Sequence, residues 1–268
     1  MAKGTKIEWC DETLNPLGWG CYGPGGTSQD PRPCSYCYAK RFAARNLRNC
    51  PLCQQFIPHW HPEAIDKAEQ WTKPRRIFWQ SMGDLFHDET PEEYIFDVLA
   101  TAIDTPQHRH IFLTKNPKRI DKVIQHYSGE NRGPVGMWDN IWFGTTITNQ
   151  DDVSRITHLM NVPEGHKFLS IEPLLGEIEL PFVLMNYCNV DGQMCNWPDE
   201  HGIIEWVIIG QESGLHAKKP DYKWVKGLID QVPDYTPLFV KNPLFSKGWL
   251  TMEDKVCWKQ QLPEGLTL

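Results

Sequence analysis

From about residue 75 onward, short apolar runs alternate with stretches of helical spacing, the rhythm expected of parallel strands joined by covering helices. Residues 76–81 read as a strand. The helix after it, 91–103, sets Tyr94, Ile95, Val98, Leu99 and Ala102 on one face, with Thr90 as N-cap, Pro91 in the first turn, and Glu92 and Glu93 at its positive end. The order then repeats. A strand over 110–115 leads to a helix over 117–126, and a strand over 141–147 leads to a helix over 151–160 with Asn149 as its cap. Strands over 167–171 and 205–209, a helix over 221–231 and a strand over 238–241 complete the series. The expected fold is α/β: one domain spanning 1–268, a partial (β/α) TIM-like barrel of roughly six or seven repeats, with a doubly wound open sheet as the alternative. Two stretches break the rhythm, 48–71 and 185–201, and read as insertions at the barrel rim.

A barrel gathers its chemistry where the strands end, and polar residues recur there: Ser81 and Asp84, Thr114 and Lys115, Thr145, Thr146 and Asn149, Glu172, Gln211 and Glu212, and Lys241. Such repetition implies a polar site. A net charge of −7 argues against binding that relies on phosphate neutralisation. A local basic cluster, Lys40, Arg41, Arg45, Arg48, Lys73, Arg75 and Arg76, reads first as solvated side chains. Trp19, Trp60, Trp71 and Trp79 flank the cysteine-rich region and could wall a site or simply pack. The longest apolar runs are strand-sized, so no membrane span is expected. With no targeting segment and with reduced thiols, the expected compartment is the cytoplasm.

Cys21 and the Cys34-Ser35-Tyr36-Cys37 segment put three thiols within reach of one centre. Three thiolates leave one iron of a [4Fe–4S] cluster open, whereas structural zinc takes a fourth protein donor, for which Cys10, Cys50, Cys53, His59 and His61 are available. Nine cysteines, an odd number, speak against a disulfide framework. Spacing leaves cluster, zinc and unliganded thiols all open. Cys50-Pro51-Leu52-Cys53 followed by His59 and His61 has the residue types of a zinc knuckle, with an auxiliary iron–sulfur cluster or plain packing as alternatives.

The cysteine trio resembles a widened radical S-adenosylmethionine (SAM) signature. So do the blocks 7–9, 15–16, 81–86, 113–115, 170–175 and 210–214, which are similar to those of phage-associated (Gp-type) radical-SAM-like proteins of unknown function, distant from spore photoproduct lyase. The resemblance implies a barrel in which Cys21, Cys34 and Cys37 hold a [4Fe–4S] cluster and Tyr36 packs near the SAM adenine. By the same resemblance Ser81, Gly83 and Asp84 meet the methionine amino group, Lys115 pairs with its carboxylate, Thr145 or Thr146 reaches a ribose or carboxylate oxygen, and Gly210 borders the cofactor. Glu172 would bind ribose or substrate, or else close the barrel in an ion pair with Lys115 or Lys241. An electron from a flavodoxin or ferredoxin would cleave SAM to a 5′-deoxyadenosyl radical acting on a nucleobase, nucleotide or nucleic acid, in the host cytoplasm if the chain is phage-encoded. Tyr187, Cys188, Cys195 and Cys257 are the candidate hydrogen donors. Two rival functions stand beside this one: a zinc-bearing nucleic-acid or protein-binding module, and a cluster-free barrel hydrolase using Asp84, Glu172 and Glu212.

Overall fold

The computed structural model describes residues 5–45, 49–128, 136–181, 188–190, 193–195, 204–214, 217–245 and 260–267. The chain forms two compact units, Met1–Phe143 and Gly144–Thr267.

In the first unit, strands β1 (Glu12–Leu14), β2 (Arg76–Trp79) and β3 (Arg109–Thr114) lie parallel in chain order. Leu14 pairs with Trp79, which pairs with Phe112, so β1 and β2 finish level while β3 continues past them to Thr114. Short helices α1 (Tyr38–Ala43) and α2 (Pro51–Gln54) and the longer α3 (Glu63–Gln70) fill the connection from β1 to β2; α4 (Glu92–Asp104) and α5 (Pro117–Ser128) follow β2 and β3. Ile77, Phe78 and Trp79 are consecutive and all buried. A strand covered on both faces has no alternation to show, which is why β2 reads as a continuous apolar run. The helical stripe Ile95, Val98, Leu99 and Ala102 is buried as its spacing requires. Its cap differs from expectation. Thr90 is drawn into the preceding turn, its N–H donating to His87 O at 2.9 Å, so Pro91 takes the N-cap position of α4. Strand β2 also stops short of Ser81, because Gln80 adopts φ 59° and turns the chain out of the sheet.

The second unit follows the same plan. Strand β4 (Ile141–Thr146) carries the chain across the division, and β5 (His166–Ile171), β8 (Ile204–Ile209) and β9 (Leu238–Val240) run parallel as neighbours; β6 (Cys188–Val190) and β7 (Gln193–Cys195) form a separate antiparallel pair. Helices α6 (Ser154–Met160), α7 (Tyr222–Gln231) and α8 (Asn242–Phe245) complete the unit. Asn149 is a cap, its Oδ1 accepting from Asp151 N at 3.0 Å, but the first turn winds as a tighter 3-10 helix, Gln150–Val153, and α6 starts only at Ser154. Gly144 is required where it stands, since a Cβ there would lie 2.3 Å from the Phe168 ring. Each unit is therefore α/β with parallel strands. Of the stretch 185–201 only the β6/β7 pair is described, with Cys188 opposite Cys195; Tyr187, Trp197 and Cys257 lie outside the described residues. Among those residues no helix is long and apolar enough to cross a membrane.

The core of the first unit contains a polar link. Trp79 Nε1 donates to His110 Nδ1 at 2.9 Å, and His110 Nε2 faces Thr105 Oγ1 at 3.0 Å, whose own hydrogen goes to Thr101 O at 2.6 Å. This chain needs a neutral imidazole protonated at Nε2, and burial pushes the His110 pKa down to about 3 from 6.5. In the unfolded chain the same group takes its proton near 6.5, so falling pH favours unfolding. The contribution is complete above pH 6.5 and is lost progressively toward pH 3, at ~1.4 kcal/mol per pH unit for one proton. Urea unfolding of the wild type and of His110→Gln between pH 7 and pH 4 checks this: the variant's stability should fall by about one proton's worth less.

Candidate metal centre and the adjoining cysteine site

Two local features of the 48–71 stretch build a cage. Pro51 starts α2 directly after Cys50, and this single turn brings Cys53 back beside it. Beyond Phe56, which turns the chain at φ 62°, residues 59–61 run extended along the loop after β1: His59 N donates to Leu17 O at 3.2 Å and His61 N to Pro16 O at 2.6 Å. Extended backbone points alternate side chains the same way, so both imidazoles meet the two sulfurs. The four ligand atoms lie within 4.8 Å of one another. His59 Nε2 is 3.1 Å from Cys50 Sγ and 3.7 Å from Cys53 Sγ; His61 Nε2 is 3.9 and 3.6 Å from the same atoms. Bond lengths of about 2.0–2.3 Å in a tetrahedron imply edges of roughly 3.3–3.8 Å; the four Sγ–Nε2 distances bracket that range, and the 2.6 Å Nε2–Nε2 edge is shorter than it.

The proton positions decide what the cage wants. His59 Nδ1 faces Ile57 O at 2.8 Å and His61 Nδ1 faces Glu63 Oε1 at 2.7 Å, both acceptors, so each Nδ1 carries the hydrogen. Each Nε2 is then left with a lone pair, and the two Nε2 atoms stand 2.6 Å apart. Lone pairs at that distance repel, and either a shared proton or a metal ion held by both nitrogens relieves the repulsion. Cys50, Cys53, His59 and His61 could thus hold a metal ion, with Ile57 O and Glu63 as the outer partners that orient ligating histidines. Cys53 is fully buried and accepts from Trp19 N at 3.3 Å.

The trio of cysteines lies earlier in the chain. Gly23 N donates to Cys21 Sγ at 3.2 Å, and Lys40 N to Cys37 Sγ at 3.4 Å as Cys37 caps α1. Both sulfurs pack against the cluster of Ala39, Ala43, Phe56 and Met82, with Trp19 alongside. Burial pushes the Cys21 thiol up to about 12; Asp84 and Cys37 act in the same direction, while the Gly23 N–H and Lys115 oppose them. Lys115 Nζ also lies 6.0 Å from the Tyr36 ring centre. Cys21, Tyr36, Cys37, Asp84 and Lys115 are therefore neighbours. Cys34, half-buried, is held through its carbonyl, which accepts from Cys37 N at 3.0 Å. A cavity of about 350 Å³ is bounded by Cys21, Tyr22, Asp84, His87, Trp60 and Tyr94.

Several predicted site residues have partners within the scaffold. The Asp84 carboxylate accepts from Thr114 Oγ1 at 2.7 Å, Lys115 N at 2.9 Å and Phe86 N at 3.1 Å, and so ties the end of β3 to the segment after β2. Gly83 does permit close backbone approach, but to Gly20: a Cβ would lie 2.3 Å from Gly20 O. Ser81 Oγ faces Asn15 Oδ1 at 3.3 Å. In the second unit, Thr145 and Thr146 are buried, and Lys241 Nζ pairs with Glu172 Oε1 at 2.5 Å. Gly210 makes room for that carboxylate, since a Cβ would stand 2.8 Å from Glu172 Cδ. Glu212 accepts from Lys218 N at 3.1 Å.

Compared with known proteins, residues 4–252 match the family described as a protein of unknown function (DUF5131). The chain belongs to that family. No curated protein and no solved structure matches it.

Residues that sequence reasoning passed over organise the region. Gln80, 1% exposed, accepts from Leu17 N at 2.9 Å through Oε1 and donates to Gly18 O at 3.0 Å through Nε2. Asn15 Oδ1 accepts from Met82 N at 2.8 Å. The only signal was indirect: Gly18 and Gly20 both sit in the loop just before Cys21. Removing the outer partner of a metal-bound histidine weakens binding by about 10–100-fold. Glu63→Ala is expected to lose affinity in that range, measured by competition with a chromophoric chelator; equal affinity would take Glu63 out of the cage.

Proposed function

We propose that the protein is a radical SAM enzyme on an α/β barrel, with Cys21, Cys34 and Cys37 as the ligands of a [4Fe–4S] cluster and zinc in the Cys50, Cys53, His59, His61 cage. The observation that carries the reading is the meeting of two of the three thiols with Tyr36, Asp84 and Lys115 at the ends of β2 and β3. The donor chemistry fits the group: N–H bonds from Gly23 and Lys40 reach Cys21 and Cys37, and hydrogen bonds to sulfur are among the protein's levers on such clusters. Cubane ligands bind separate irons, so the three sulfurs need not crowd as the four atoms of the cage do. When bound, the cluster supplies an electron for reductive cleavage of SAM.

The chain's own residues divide the remaining work. Lys115, held by its backbone to Asp84, offers a cation for the methionine carboxylate, and the Tyr36 ring nearby offers a face for the adenine. Tyr22, Trp60 and Tyr94 bound the cavity and exclude water from a radical reaction. Arg75 and Arg76, part of the basic cluster, are engaged by Glu12 and Asp11 at 2.7 Å each, which favours a small substrate or single nucleobase over a duplex. Hydrolysis by Asp84 and Glu172 fits less well, because one carboxylate is occupied by three donors and the other by Lys241.

Anaerobically reconstituted protein is expected to hold iron and sulfide and to convert SAM to 5′-deoxyadenosine. Cys37→Ala should abolish both while keeping the cage metal; equal cleavage by the variant refutes the assignment. Lys115→Ala should keep its iron and bind SAM about tenfold more weakly, read by titration. Protein that takes up zinc and no iron would favour the metal-bearing binding module, the reading that the cage by itself supports.

A further inference from the structure

The cage and the cysteine trio are joined by a segment of the chain only a few residues long. Residues 16–20 run from β1 to Cys21, and nearly every one of them touches the cage or its flanks. Pro16 O and Leu17 O accept from His61 N and His59 N. Gly18, at φ 61°, lies so close that a Cβ would stand 2.8 Å from both imidazoles and 3.1 Å from Cys53 Sγ. Trp19 N donates to Cys53 Sγ at 3.3 Å. Gly20 packs on the backbone between His59 and the turn at Phe56, where a Cβ would meet Pro58 N at 2.3 Å.

We propose that metal in the Cys50, Cys53, His59, His61 cage sets the position of Cys21, acting as a brace for its loop and taking no part in chemistry. The reason is mechanical. One of the two surfaces that support 16–20 consists of two imidazole rings, one sulfur and the backbone beside them, the other being the Gln80 amide and Met82 O, and an ion shared by the two Nε2 atoms, 2.6 Å apart, would hold the imidazole surface together. Without the ion the imidazoles separate, the flat face that accommodates Gly18 is lost, and the hydrogen bond from Trp19 loses the thiolate character of its acceptor. Cys21, the next residue but one, is then released from its packing against the cluster of Ala39, Ala43, Phe56 and Met82. This inference rests on the metal reading of the cage and is independent of whether the trio binds iron.

The test uses the zinc-loaded, iron-free full chain and follows the alkylation rate of each cysteine by iodoacetamide and peptide mass spectrometry, before and after zinc is stripped with a chelator. Local opening exposes one segment while the rest stays closed, so Cys21 is expected to react at least about tenfold faster after stripping while Cys10, 6% exposed and on the β1 side, stays protected. Cys50→His, which keeps a four-ligand zinc site and both imidazoles that face Gly18, should retain the metal and keep Cys21 slow. Unchanged Cys21 reactivity on stripping overturns the proposal. So does a simultaneous rise at Cys10, which would mean that zinc supports the whole unit, and so does a reactive Cys21 in metal-loaded Cys50→His. Elemental analysis made before alkylation separates the remaining failure: protein that neither carries nor takes up zinc removes the cage reading itself, and the brace with it.

Discussion

The cysteine region depends on how the loop after β1 is gripped. Gln80 is the grip: a buried amide at the end of β2, in a positive-φ conformation, donates to one residue of that loop and accepts from another while its own N–H donates to Leu14 O at 2.6 Å. A buried amide that makes all these bonds rigidifies its surroundings, and one that loses them costs about 1–3 kcal/mol per orphaned group. Gly20 and Gly83 complete the fit, since Gly20 N donates to Met82 O at 3.2 Å and neither glycine leaves space for a side chain. The segment bearing Cys21 is thereby laid on the sheet ends, although it contains no secondary structure.

Much of the fold could be read from the chain because its longer strands carry continuous apolar runs and its longer helices an apolar stripe. Ile111 to Thr114, Trp142 to Thr146 and Trp206 to Ile209 leave no ambiguity in length or flanking residues, and the helix from Glu92 carries its stripe at the expected spacing. The cage was legible for a similar reason: a two-residue Cys interval and histidines at i and i+2 make contact through local geometry alone. The three-residue β1 and the helices α1 to α3 escaped because each is shorter than the window over which periodicity can be counted. Asp84 and Gln80 were obscured for another reason. A polar residue at a strand end looks the same in sequence whether it faces a ligand or a neighbouring backbone, and only the bonds from Thr114, Lys115 and Phe86 reveal that Asp84 faces inward.

The two sulfur-rich groups ask for opposite environments. In the cage, Ile57 O and the Glu63 carboxylate take the imidazole protons and aim both lone pairs at one point, an arrangement that demands positive charge. Cys21 sits where burial and the neighbouring Asp84 hold its proton on, with Lys115 as the countervailing charge. A thiol so protected is inert by itself and becomes a ligand only when a metal supplies the compensation.

The span of chain that forms the cage has a bearing on the order of assembly. Cys50 and His61 are separated by 11 positions, whereas Glu12 must find Ile77 to begin the sheet. Closing a short loop is entropically cheap and closing a long one is slower and costlier. An ion captured by the nascent segment would therefore precede sheet formation during synthesis, and would present a ready-made platform on which the earlier residues 16–20 could settle.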